Sequence, residues 1–391
     1  MKKIEYLIKH NRFIQFIYKK FFSALFKFLT LFVPVNDRLI LINSFSGKKY
    51  NDSPKILYEK IVERFGSDKF KIVWAFENPK NFKEFNLNTV KINSYRYFHT
   101  AFRAKYWISN VNIERGLSFK KKKQIYLNTW HGTGPKSIGN GANNRKDYNF
   151  SKTNYLCADG DFLKNVLLKY FNAREDSILM CGRPREDILY NHSEKYVEDI
   201  AKRFNIKKND LVILYAPTWR EQNSKTFKSS ISVDLDLDLI FEKFPNAKIL
   251  FRKHSITAEV IFNHNVCDKI IDVSSVPDIA DLLLITDILI TDYSSIPTDF
   301  SILGKPFLCF APDYEEYTST RKLFYDITTE YPFGIQKSTE EIVECINEIL
   351  CGNNKKDEFQ AFKDKYCPYG GHATDICIDK LFGESTDIER E

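Results

Sequence analysis

The sequence lacks a stretch that would carry it across a membrane. The longest uncharged run in its apolar amino-terminal segment, residues 28–36, falls far short of the ~20 residues that a spanning helix needs. An uninterrupted apolar core followed by a small-residue cleavage site is also missing, so a secretory signal is not expected. Eight cysteines are scattered along the chain without a Cys-x-x-Cys pair. That spacing indicates neither a zinc site nor a disulfide framework, and reads as buried thiols in a reducing compartment. No carboxylate cluster marks a metal site, so neither a metal nor a cofactor is expected. Repeats and low-complexity tracts are not evident. Net positive charge is scarce outside one segment. Residues 1–36 hold seven bases (Lys2, Lys3, Lys9, Arg12, Lys19, Lys20 and Lys27) against Glu5, a net +6 of the chain's +7. A nucleic-acid surface needs basic charge spread over a folded face, so no nucleic-acid partner is expected.

What is present points elsewhere. The chain has 391 residues, 43% of them hydrophobic, enough for two domains with sizeable cores. Residues 13–35 are rich in Phe, Leu and Ile, interrupted by Lys19, Lys20 and Lys27. A basic, aromatic-rich helix suits the interface of an anionic bilayer, lying on it rather than crossing it. The plainer reading is a helix packed on the domain with its lysines solvated. We expect the first: a membrane-associating segment over 1–36.

Strand-like apolar runs then alternate with helical spacings. Strands are expected at 38–43, 71–76, 104–110, 124–129, 155–158, 178–182, 211–217, 247–251, 270–273, 288–291 and 306–310. Helices are expected at 54–65, 94–104, 161–170, 193–204, 237–244, 278–284 and 340–350, the fourth as a hinge region. Strands alternating with helices imply parallel βαβ units. The expectation is an α/β protein of two Rossmann-like domains, 37–190 and 191–391, facing a cleft where ligands bind.

Three polar turns follow strands. In the first, Trp130-His131-Gly132-Thr133-Gly134, glycines permit close approach of backbone to a ligand and the hydroxyl suits phosphate. A histidine there can serve as a general base, or can simply satisfy the turn. The second, Arg252-Lys253-His254, carries a basic triplet able to neutralise a diphosphate. The third, Asp292-Tyr293-Ser294-Ser295, places a serine at a helix N-cap with Pro297 in the first turn, where free N–H groups bind phosphate. A plainer reading has the serines act as caps alone; both roles are compatible. Arg183 and Arg185 lie in one further rigid turn, and Pro217, Thr218 and Arg220 in another; arginine forks suit phosphate oxygens.

In this order the motifs resemble the CDP-glycerol glycerophosphotransferase family, the teichoic acid primases and polymerases and related capsule enzymes. Residues 44–54 look like the family's first characteristic stretch, and 367–374 like a diverged form of a later turn. The resemblance covers roughly residues 40–375. It implies a GT-B-like fold and a peripheral location at the cytoplasmic face of the membrane. It also implies transfer of a polyol phosphate, most simply glycerol phosphate, from a CDP-polyol to a hydroxyl of a membrane-linked glycan or polyol-phosphate acceptor, with release of CMP. By the same resemblance His131 and His254 are catalytic. The donor contacts it implies are Trp130, Gly132, Thr133, Arg185, Pro217, Thr218, Arg252, Ser294, Ser295 and Asp299. The chain departs from the pattern at Gly134 and at Ser255, where the family usually or often has proline. Two other readings share the architecture: a GT-B glycosyltransferase using a nucleotide-sugar, and a non-catalytic membrane-bound scaffold of a polymer-export assembly.

Overall fold

A computed structural model describes residues 12–142, 148–218, 230–232, 235–253, 259–261 and 268–383. Its first sheet contains β1 (Asn36–Asn43), β2 (Lys71–Phe76), β3 (Thr89–Lys91), β4 (Ala104–Ser109), β5 (Ile125–Asn128), β6 (Tyr155–Ala158) and β7 (Ile178–Met180). Their order is β3-β2-β1-β4-β5-β6-β7, and every pairing is parallel. The second half contributes β8 (Leu211–Tyr215), β9 (Ser230–Ser232), β10 (Ala247–Phe251), β11 (Glu259–Ile261), β12 (Ile270–Asp272), β13 (Ile288–Thr291) and β14 (Phe307–Cys309). Five of these form a parallel sheet in the order β12-β10-β8-β13-β14, and β9 pairs with β11.

Parallel sheets are covered on both faces, so their strands are apolar without alternation. β8 is buried at all five positions, as is β1 over its last five. That continuity is why each expected strand is found where the apolar runs lie. β3, β9 and β11 went unforeseen because Thr-Val-Lys, Ser-Ile-Ser and Glu-Val-Ile contain no apolar run. In both sheets the order reverses beside the first strand, at β1/β4 and at β8/β13. Ligands in open α/β sheets bind outside the carboxyl ends of strands at such a point.

The longer helices are α1 (Arg12–Leu31), α2 (Asp52–Phe65), α3 (Tyr95–Arg103), α4 (Asp161–Phe171), α5 (Glu194–Arg203), α6 (Leu237–Lys243), α7 (Ile279–Ile285), α8 (Ile296–Ser301), α9 (Thr339–Leu350), α10 (Lys356–Tyr366) and α11 (Ala373–Phe382). One placement differs from the expected division at residue 190. α11 leaves the second sheet and packs on the first. Ala373, Cys377, Ile378 and Leu381 share a core with Ile40, Ile42, Leu57 and Ile61. Arg64 pairs with Asp379 at 2.7 Å, and Phe382 lies 4.6 Å from Phe70 between ring centres. An amphipathic helix buries its apolar stripe wherever a matching face is open, so its sequence carries no address.

α1 is held through one stripe. Phe26 meets Phe98, Phe102 and Phe119 at 4.8, 5.5 and 5.7 Å. Its other face exposes Phe16, Ile17, Phe21, Leu25, Phe28 and Leu29 to solvent. Among the described residues no helix is long and apolar enough to cross a membrane.

Candidate active site

A cavity of about 600 Å³ lies between the two sheets. Lys49, Asp52 and Arg185 line it from the first, and Arg252, Asp278 and Asp299 from the second. Direct bonds join its walls. Asn51 Nδ2 donates to the Pro277 carbonyl at 2.8 Å, and Lys55 pairs with Asp278 at 2.8 Å. Phe45, Ser46, Asp52 and Trp130 all adopt left-handed backbone conformations, with φ of 44°, 58°, 64° and 52°. Such φ values in non-glycine residues are uncommon and persist only where surroundings enforce them. Here they cluster on two loops at the carboxyl edge of the first sheet.

His131 follows β5 on one of these loops. Its Nδ1 lies 2.7 Å from the Asn110 carbonyl oxygen. A carbonyl only accepts, so Nδ1 carries the hydrogen and Nε2 keeps its lone pair. The ring sits against Trp130 (4.1 Å between ring centres) and Phe45 (5.6 Å). Burial pushes its pKa below the ordinary histidine value; the Asn110 carbonyl and Asp52 oppose that, while Arg185 and Arg183 add to it. The result is a neutral imidazole with a free basic nitrogen, the state that can accept a proton.

Three expected donor contacts are placed otherwise. The Trp130 ring is buried in a core with Phe150 and Phe171 and meets the loop at the His131 ring. The Thr133 hydroxyl donates to Asp159 (2.8–2.9 Å) and accepts from Arg183 Nη1 at 3.0 Å. Asp299 is a counter-ion: it pairs with Arg183 at 3.2 Å and Arg185 at 2.6 Å. Arg183, fully buried, also binds Asp159 at 2.8 Å and Glu186 at 2.6 Å. Arg185 completes the network through Asp52 at 2.8 Å. Burial raises the pKa of Asp159 and Glu186, partly offset by Arg183. For Asp52 the lowering by Arg185 and Asn110 outweighs the burial. This network fastens the His131 loop to α8: Thr298 Oγ1 donates to the Thr133 carbonyl at 2.7 Å. Buried charges this close to one another demand fixed geometry, since losing one partner leaves another uncompensated.

The glycines of the loop are needed for that contact. A Cβ on Gly132 would fall 2.6 Å from Ser295 Oγ, and one on Gly134 3.0 Å from Ser295 Cα. Ser295 occupies the N-cap of α8 without a side-chain cap bond, whereas Ser294 Oγ accepts from Ile296 N at 3.3 Å. α8 is a six-residue helix with Pro297 in its first turn. It therefore offers fewer free amides than the expected phosphate-binding helix.

On the second sheet, Thr218 N donates to both Asp292 oxygens at 3.0 and 3.1 Å, fixing the turn after β8 beside half-buried Pro217. Arg252 Nη1 donates to the Val273 and Val276 carbonyls at 3.1 and 2.9 Å, and no described carboxylate forms a salt bridge with it. His254 lies outside the described residues. Lys49 was not singled out from the sequence. Burial, then the positive charge of Arg252, lowers its pKa, while Asp52 raises it. Two cations thus meet across the cavity, one from each sheet, as a diphosphate requires. Asp52, Asn110, Asp159 and Glu186 were also missed, because in sequence they look like ordinary surface polar residues, and Arg183, read as a fork for phosphate, is instead held by buried carboxylates.

The fold is shared with known proteins. The chain is similar to the teichoic acid poly(glycerol phosphate) polymerase of Bacillus spizizenii, at 30% identity, covering 97% of this chain and 100% of that protein. It is 31% identical to the polymerase of the same name from Staphylococcus epidermidis, over 85% of this chain but only 48% of the relative, so it spans about half that protein's length. A solved structure of the wall teichoic acid polymerase TagF superposes with a TM-score of 0.79 at 27% identity, covering 93% of this chain and 92% of that one. The family profile described as CDP-Glycerol:Poly(glycerophosphate) glycerophosphotransferase matches residues 25–382, and the chain belongs to that family.

Proposed function

We propose that this chain transfers glycerol phosphate from CDP-glycerol to a hydroxyl of a membrane-linked glycan or polyol-phosphate acceptor in teichoic acid synthesis. His131 carries the reading: it is neutral, its Nδ1 is pinned by Asn110, and its Nε2 is free to take a proton. The acceptor oxygen attacks the β-phosphorus as His131 removes its proton. The bond from that phosphorus to the bridging oxygen breaks, and CMP leaves with the electron pair. Lys49, Arg252 and Arg185 hold charge on the diphosphate; His254 and the turn at Ser294–Ser295 belong to the same group. Such transfer depends on positioning and electrostatic stabilisation more than on covalent chemistry. The two sheets form the halves of a GT-B-like enzyme, near 37–190 and 191–391, with α11 returned to the first.

The exposed apolar face of α1 supports peripheral association with an anionic membrane, at the cytoplasmic side where a CDP-activated donor is found. Incubation with a panel of CDP-alcohols and nucleotide-sugars tests the reading. CMP released from CDP-glycerol supports it. A nucleoside diphosphate released from a sugar donor would make the chain a glycosyltransferase, and release of neither would favour the scaffold.

A further inference from the structure

Cys157, Cys181 and Cys377 are far apart in sequence, and nothing in the transfer reaction uses them. The fold brings their sulfurs together. Cys157 Sγ and Cys377 Sγ are 3.4 Å apart, and all three sulfurs lie within 4.8 Å of one another. All are buried, on β6, just after β7, and on α11.

We propose that these three thiols form a binding site for a thiophilic d10 dication of the zinc class, tying α11 to the first sheet. The three sulfurs are near enough to converge on one ion. A triangle with one side of 3.4 Å and others of at most 4.8 Å has a point about 2.6 Å or less from every corner, close to the ~2.3 Å of a zinc–thiolate bond. The Gly182 carbonyl, 3.4 Å from Cys181 Sγ, puts an oxygen beside the cluster for a fourth position. On binding, three S–H bonds are exchanged for three S–metal bonds and three protons pass to solvent, with no change of oxidation state. Soft sulfur ligands in an apolar core select such an ion over magnesium or calcium.

The site has a place in the architecture. The backbone of α11 is capped by Asp187, which accepts from Ala373 N and Thr374 N at 3.0 and 2.7 Å. His372, Thr374 and Asp375, around that capped end, line the cavity. A metal at Cys377 would hold the helix one turn further on.

The test is a titration of the reduced full-length protein with Cd(II), read by sulfur-to-cadmium charge-transfer absorption. Cys267, Cys345 and Cys351 are first replaced by serine to remove background. One equivalent should bind, Zn(II) should displace it, and the melting temperature should rise with added metal. Cys377→Ser and, separately, Cys181→Ser should each abolish the band and weaken binding by at least roughly a hundredfold. Should either variant fold poorly, the unsubstituted protein provides a second readout. Cd(II) should then protect Cys157, Cys181 and Cys377 together from alkylation, as read by peptide mass. Absence of the band, its survival in both variants, or alkylation of the three cysteines unchanged by cadmium would overturn the proposal. So would a Cys157–Cys377 disulfide formed with a thiol oxidant in protein that takes up no metal when reduced.

Discussion

The carbonyl oxygen of Asn110 lies 2.7 Å from Nδ1 of His131, so the position after β4 sets the tautomer of the residue after β5. That fixes which nitrogen is basic before any substrate arrives. His131→Ala should lower CMP formation by about 10²–10⁴ while donor affinity changes little, since a general base contributes that much. Near-normal turnover in this variant would remove His131 from the mechanism. The pH profile gives a second check. The active form is the neutral ring, and burial disfavours the imidazolium, so protonation needs a lower pH than the ordinary histidine value of 6.5. The acid limb of kcat/KM should therefore lie below pH 6.5. An acid limb above that value would point to a different base.

Asp299→Ala should be primarily a stability mutation. It leaves Arg183 and Arg185 each short of a buried partner, which costs about 3–5 kcal/mol. Urea denaturation compared with donor titration separates the two roles. Unchanged stability with weakened donor binding would return Asp299 to the ligand.

Lys49→Met and Arg252→Met should each raise the donor dissociation constant by roughly tenfold or more, as loss of one charge-assisted contact implies. If both cations hold the same diphosphate, the double variant should lose less than the two single effects added together. Isothermal calorimetry with CDP-glycerol measures this; unchanged affinity in both single variants would place the diphosphate elsewhere.

The serines after β13 should separate. Ser294→Ala removes a bond to the Ile296 amide and should cost about 0.5–1 kcal/mol of stability. Ser295→Ala removes no cap bond and should leave the melting temperature in place. If calorimetry then shows donor affinity unaffected in either variant, the turn only caps.

Reversing Lys19, Lys20 and Lys27 to glutamate should release the protein from anionic vesicles. Each lysine near such a surface contributes about 1 kcal/mol. CMP formation with a short soluble acceptor should persist, because these residues are remote from the cavity. Pelleting with lipid at the wild-type level would defeat the anchoring role of α1.

The parallel sheets were legible because runs such as 211–215 and 288–291 are apolar without interruption, and only strands buried on both faces read so. The position of His131 in a turn after a strand was legible because the apolar run ends at Asn128, whereas its catalytic role was an expectation that rested on the resemblance. Thr133 and Asp299 were read as ligand contacts, although in the fold they serve Arg183. A hydroxyl that binds phosphate and one that binds a buried carboxylate are the same residue in sequence. Cys157 and Cys377 stand 220 positions apart, and only tertiary structure makes them neighbours.

Because α11 closes the core around Ile40 and Ile42, the first sheet is completed by a helix that follows the second sheet in the chain. α2 covers part of the sheet's apolar face through Leu57 and Ile61, and the part that α11 takes is covered only when residues 373–382 have been made. A nascent chain stalled before α11 would present an unfinished amino-terminal half to chaperones, although every strand of that half has already been made.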